Sequence, residues 1–387
     1  MLKTPILTAL ILSIFLSGCI ERYFPDEEEL QTGTLVVIAQ LNNLPGFQSI
    51  FLSRSTSLKN IKRDPEIGCL VQVEREDGVT VDFGESDPGE YGCFLDEEFL
   101  INGASYRLIF ITREGDQYES EFERLYPPAE INSVYFIKED HPTNDPAVIE
   151  EGIQFFMDFE IDKDSSRFLR WQLTETYELQ NPDYETTLYD VDRRFYRLHT
   201  SDKWLTCWIT LDIPEIFTLD LGNVDGSVYQ KMPLNFVSNQ TKRLQQRYSL
   251  LVRQLTLSEK AFWYWNELGK NVQSKGGLFD TQPALTPSNI CNVAEESELI
   301  IGYFSISGAI EKRIFVDNVP DLDLYSDPYY CAPDITPMFL YYYPQENLPL
   351  YLASANILGV QRTGVVKDYC ADCRLKKGSS DIKPEFW

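Results

Sequence analysis

Apolar and polar positions alternate along Leu70-Val71-Gln72-Val73-Glu74, following Cys69. The pattern breaks at Asp77-Gly78 and resumes through Val79, Val81 and Phe83. A period of two interrupted by Asp-Gly predicts two strands joined by a tight hairpin. The same logic extends over residues 34–127. Leu35-Val36-Val37-Ile38 is a buried-strand run. Asn102-Gly103 turns into Tyr106-Arg107-Leu108-Ile109-Phe110-Ile111, and Glu114-Gly115-Asp116 turns that strand back towards Tyr118. Short strands with turn signals at this spacing predict an immunoglobulin-like or prealbumin-like β-sandwich, ending near Pro127-Pro128.

Residues 128–387 read as a larger β-rich domain with one principal helix. Its clearest strands are Phe155–Phe159, Phe168–Leu173, Trp204–Ile209 and Tyr248–Val252, followed by two more at Leu299–Phe304 and Arg313–Val316. The helix is expected near 258–272. Ser258 is a good N-cap, Leu257 can staple to Phe262, and Gly276-Gly277 bars continuation. Its Phe262, Trp263, Tyr264 and Trp265 are enough to cover two faces and are read as packing onto a sheet. The tail from Asp321 holds Tyr325, Tyr329, Tyr330, Phe339, Tyr341, Tyr342 and Tyr343 among prolines. Aromatics of this kind either fill a sparse core or stack on a ligand. No repeat of fixed period is evident.

The first residues change the picture. Lys3 precedes an apolar run from Pro5 to Leu16, which is shorter than the ~20 residues a membrane-spanning helix needs and has the form of a secretory h-region. It closes in Leu16-Ser17-Gly18-Cys19, which resembles the lipobox of bacterial lipoprotein precursors. That resemblance implies a signal peptide over 1–18, cleavage before Cys19, and acylation of Cys19 with palmitate-type chains that hold the protein on a membrane. Residues 19–33 then form an acidic tether. Asp26-Glu27-Glu28-Glu29 in it resembles the run that exports lipoproteins to the cell surface in Bacteroidota, and like charges also keep such a linker extended. Outer-membrane anchoring is therefore expected, facing the exterior or, alternatively, the periplasm.

A formal charge of −26 disfavours phosphate backbones and argues against a nucleic-acid partner. The 22 Tyr, 23 Phe and 6 Trp suit strand-rich domains. Besides Cys19 the chain carries Cys69, Cys93, Cys207, Cys291, Cys331, Cys370 and Cys373. Outside the inner membrane these are candidate disulfide cysteines, with connectivity open. Cys69–Cys93 is the favoured local bridge, since both flank one hairpin. Cys370-Ala371-Asp372-Cys373 has redox-motif spacing without a surrounding βαβ pattern, so a structural clip to Cys291, Cys331 or Cys207 is preferred.

Reactive chemistry finds little support. Only His141 and His199 exist, neither near a cysteine pair nor in a nucleophile-elbow pattern, so no zinc site or catalytic triad is assigned. Asp158, Asp162 and Asp164 lack the glycine and terminal Glu of a calcium loop and read as a charged turn. No cofactor is implied.

Several segments in order resemble one family. They are Arg247-Tyr248-Ser249-Leu250-Leu251-Val252, Phe262-Trp263, Gly277-Leu278-Phe279-Asp280, Pro283, Asn289-Ile290, Ile301-Gly302-Tyr303-Phe304, Cys370-Ala371-Asp372-Cys373-Arg374 and the terminal Phe386-Trp387. Together with the lipobox they are similar to the Bacteroidota lipoproteins grouped as domain of unknown function 4249. The resemblance implies an outer-membrane lipoprotein often encoded beside TonB-dependent transporters and brings no catalytic residues. The expectation is a non-enzymatic binding or accessory module of such a β-barrel. The alternatives are a structural subunit of an envelope secretion or assembly complex, and an extracellular hydrolase using a carboxylate pair.

Overall fold

A computed structural model describes residues 33–56, 63–142, 149–162, 165–190, 195–198, 204–224, 226–273, 286–324, 331–334, 348–357 and 359–387. The signal and lipobox residues through Cys19, the run Asp26–Glu29, His199, Asp164, Gly276–Pro283 and the tyrosines between Tyr325 and Tyr343 lie outside these residues.

The protein is mostly β with one main helix, as the alternation predicts. Leu70–Arg75 and Thr80–Asp87 pair across Asp77-Gly78, with Val71 and Val73 buried against Phe83. Ser105–Ile111 alternates buried and half-buried side chains along its whole length. The Thr80–Asp87 strand pairs with Leu70–Arg75 as far as Phe83, then with Glu90–Leu95 from Gly84 onward. By changing partners midway it folds the sheet over itself, and the two halves enclose one sandwich-like core of Leu35, Val37, Tyr91, Tyr106 and Phe110.

That core is completed from far along the chain. Ile300–Val316 is one 17-residue strand, where the sequence reading has two. Its first half runs parallel to Leu35–Asn42, in register Leu35 to Ile300. Its second half runs antiparallel to Tyr248–Leu257. The hydrophobic signal fades through Ser305, Ser307, Gly308 and Ala309, all buried, and at Gly308 only a glycine fits. A Cβ on Gly308 would lie 2.2 Å from the Tyr126 carbonyl oxygen, so the backbone at the Pro127-Pro128 turn rests directly on this strand. Gly302, at φ +122°, sits equally close against Val37.

A second core lies between Phe168–Gln180 and Tyr248–Leu257 on one side and the three-stranded sheet of Glu130–Pro142, Ile149–Glu160 and Val228–Ser238 on the other. Trp171 is buried in it. Its indole N–H donates to Gln254 Oε1 at 2.9 Å, and Gln254 Nε2 donates to the Ala129 carbonyl at 2.7 Å. These bonds satisfy the polar groups that a core of this kind must not leave bare.

The disulfides differ from the favoured local bridge. Cys207 joins Cys373 and Cys331 joins Cys370, with Cα separations of 5.8 and 5.5 Å. The Cys-Ala-Asp-Cys segment is thus a double clip, each cysteine taking a distant partner. Cys69, Cys93 and Cys291 are free. Cys69 does not reach Cys93 because it leads into the Leu70–Arg75 strand, which Thr80–Asp87 separates from the strand of Cys93. Cys69 N–H instead donates to the Tyr91 hydroxyl at 3.0 Å.

Candidate functional site

The Glu259–Gln273 helix starts where the capping pattern places it. Ser258 Oγ accepts from the Ala261 N–H at 3.1 Å. The same hydroxyl donates to Glu123 Oε2 at 2.5 Å, and the Tyr303 hydroxyl donates to Glu123 Oε1 at 2.6 Å. Glu123 is only 2% exposed, and burial pushes its carboxyl above the usual range despite both bonds. The Tyr303 phenol is pushed far up by burial and by the neighbouring Glu123.

Helical spacing then sorts the aromatic run. Ala261, Phe262 and Trp265 are buried against Leu255, Leu257 and Ala309. Leu257 and Phe262 share this cluster, which fits the expected staple. Lys260, Trp263, Tyr264 and Glu267 recur at i, i+3, i+4 and i+7 and so form the other face. Packing therefore accounts for Phe262, Trp265 and, in part, Tyr264, whereas Trp263 remains 46% exposed.

This second face forms one wall of a cleft of about 370 Å³. Thr286, Pro287, Ser288 and Asn289 line it with Glu121, and Tyr303 completes the lining. The Tyr264 and Tyr303 rings lie 4.7 Å apart. Asn289 is fixed by two 2.9 Å bonds to the Phe304 backbone, one given and one taken. Lys260 Nζ pairs with Glu121 at 2.6 Å, which holds the lysine in its charged form. Aromatic faces with a few fixed polar groups are the usual chemistry of a small-ligand site. Glu121 and Glu267 line the cleft, whereas the high-pKa carboxyl of Glu123 is bonded to Tyr303 and closed off from solvent.

The remaining candidates have other surroundings. His141 stacks on Phe236 at 3.9 Å and lies 3.6 Å from a Glu139 oxygen. Asp158 sits within the Ile149–Glu160 strand, where it accepts from the Lys231 N–H at 2.8 Å and from Ser133 at 2.8 Å. The Asp162 carbonyl accepts from the Ser165 N–H at 3.1 Å. The sequence reading missed Lys260, Glu121, Asn289 and Tyr303 as a group. Their joint position depends on the pairing of Ile290–Asn292 with Gln117–Ser120, which no local pattern announces.

Fold and cleft define a β-sandwich protein with a helix-walled cleft and a disulfide-clipped C-terminal segment. A family model described as Domain of unknown function (DUF4249) matches residues 20–313, and the chain belongs to that family. No curated protein matches the chain.

Proposed function

We propose that this protein is a non-enzymatic binding module of the bacterial outer membrane, anchored by lipid on Cys19 and serving a TonB-dependent β-barrel transporter. The observation that carries the binding reading is the helix face of Lys260, Trp263, Tyr264 and Glu267 set against Tyr303 around a 370 Å³ cleft. Such a face is a poor use of surface for a scaffold and a good one for stacking on a ligand. The lipobox-like Leu16-Ser17-Gly18-Cys19 and the acidic Asp26–Glu29 support an anchored, outward-facing location. Among the described residues no helix is long and apolar enough to cross a membrane.

The test is a mild-detergent pulldown of the tagged native protein followed by mass spectrometry. Recovery of one TonB-dependent barrel, in amounts comparable to the bait, is the expected result. Recovery of the protein alone removes the transporter role. Recovery of a large barrel-free assembly makes it a structural subunit instead.

A further inference from the structure

Arg170 is a cation out of place. It lies in the Phe168–Gln180 strand, 8% exposed, with its guanidinium 3.5 Å from the centroid of the Trp265 ring. Its Nη1 donates to Gln40 Oε1 at 2.9 Å, an oxygen that also receives Gln172 Nε2 at 3.2 Å. Its Nε has no hydrogen-bond partner among the described residues. No carboxylate pairs with it there either, although the chain carries 60 acidic residues against 34 basic ones. The contrast with its peers is direct. Arg54 meets Glu66 at 2.5 Å, Arg107 meets Glu74 at 2.5 Å, and Arg243 meets Glu175 at 3.0 Å. Burying a guanidinium without a counter-ion is costly, and desolvation pulls this one down to about 9.

Arg170 lines a second cavity of about 300 Å³, with Ile213, Pro214, Ile216 and Leu251 on its apolar side and Gln172 and Thr174 among its polar lining. The other charges on its wall are engaged or exposed. Arg253 pairs with Glu311 at 2.6 Å, and Asp212 accepts from Thr174 at 2.7 Å. Glu215 is exposed and also lines the cavity, so each negative charge on an occupant adds a repulsion that only the charge seated on Arg170 offsets.

We propose that this cavity binds the carboxylate of a small aliphatic monoacid, with Arg170 as the anchoring donor and the Ile213–Ile216 segment against the hydrocarbon. A planar guanidinium matches a carboxylate in geometry as well as charge. The apolar wall favours an alkyl chain, and Glu215 selects against multiply charged anions. The site is separate from the cleft walled by Lys260 and Trp263, and the proposal stands without a transporter.

The experiment titrates the full mature chain with propionate, butyrate, propionamide and inorganic phosphate at constant ionic strength. Tryptophan fluorescence and thermal midpoint are both read, since Trp171 lines the cavity and Trp265 carries the arginine. Propionate and butyrate are expected to give a saturable fluorescence change and a concentration-dependent rise in midpoint. Propionamide should give neither, and phosphate should bind at least about tenfold more weakly. R170K should weaken propionate by about tenfold or more while keeping the far-UV spectrum. If R170K fails to fold, the comparison of propionate with propionamide on the native chain decides alone. No saturable response to either acid, an equal response to propionamide, or an equal response to phosphate overturns the proposal.

Discussion

Replacing Ser258 by alanine removes two bonds made by one oxygen, and their sum can be estimated. The first is the N-cap bond to the Ala261 N–H at 3.1 Å, whose loss costs about 1 kcal/mol. The second is the hydroxyl given to Glu123 at 2.5 Å. Glu123 is 2% exposed, so water cannot replace that donor. An acceptor orphaned in this way adds about 1–3 kcal/mol. Ser258→Ala should therefore lose about 2–4 kcal/mol at neutral pH. Ser258→Thr keeps the hydroxyl and should lose less than about 1 kcal/mol.

The penalty carries a pH signature. The Glu123 carboxyl is held above its ordinary range by burial, opposed by the bonds from Ser258 and Tyr303. A raised folded value means that its protonated form is the one the fold favours. That contribution is fully present below the unfolded carboxyl range and is lost as pH rises through the folded value. Ser258→Ala takes away a donor that serves the charged form, so it raises the folded value further. The deficit of the variant should then be larger at neutral pH than near about pH 5. Urea unfolding followed by far-UV circular dichroism, with disulfides intact, measures it. A deficit below about 1 kcal/mol at neutral pH, or one indifferent to pH, refutes the account of Ser258 and Glu123 as a coupled pair.

Four further outcomes follow, three from the structure and the last from the sequence. The Cys207–Cys373 link spans 166 residues and Cys331–Cys370 spans 39; removing them as Ala pairs should cost about 5 and about 4 kcal/mol in the same urea assay. Non-reducing peptide mapping should find those two links and alkylate Cys291 before Cys69, which is buried and whose thiol is raised by desolvation. Gly308→Val brings a side chain into the backbone at Tyr126 to Pro128 and should cost more than about 2 kcal/mol or prevent folding, read by thermal denaturation. Cys19→Ala should move the protein from the membrane fraction to the soluble fraction, and retention on the membrane would exclude lipid at Cys19 as the anchor.

What could be read locally was read well. Asp77-Gly78 forces a turn whatever surrounds it, and Ser258 caps the helix through atoms three residues away. Long-range partnerships were not legible. Pairing between Leu35–Asn42 and Ile300–Val316 is set by close approach at Gly302, and nothing near Leu35 encodes its distant neighbour. The cysteines show the same limit. Cys69 and Cys93 flank one hairpin in sequence, but Cys69 leads into the Leu70–Arg75 strand, which Thr80–Asp87 separates from the strand of Cys93, a matter of strand order. Of the cleft, the aromatic helix was visible, while its opposite wall depended on the Ile290–Asn292 pairing. Arg170 read as an ordinary strand residue because the lack of a counter-ion is a property of space.

The parallel pairing also sets a timetable. Ser307 and Ala309 bond to Leu41 and Asn43 from 266 residues away. Wherever the chain is delivered N-terminus first, the first strand arrives well before its partner exists. During that interval the early hairpins can form, but their sheet ends in an unpaired edge of Leu, Val and Ile residues. The N-terminal core is therefore among the last parts of the molecule to close. A chain stopped before residue 300 presents that edge permanently, so truncation products of this protein should aggregate even when every residue of the first core's early strands is present.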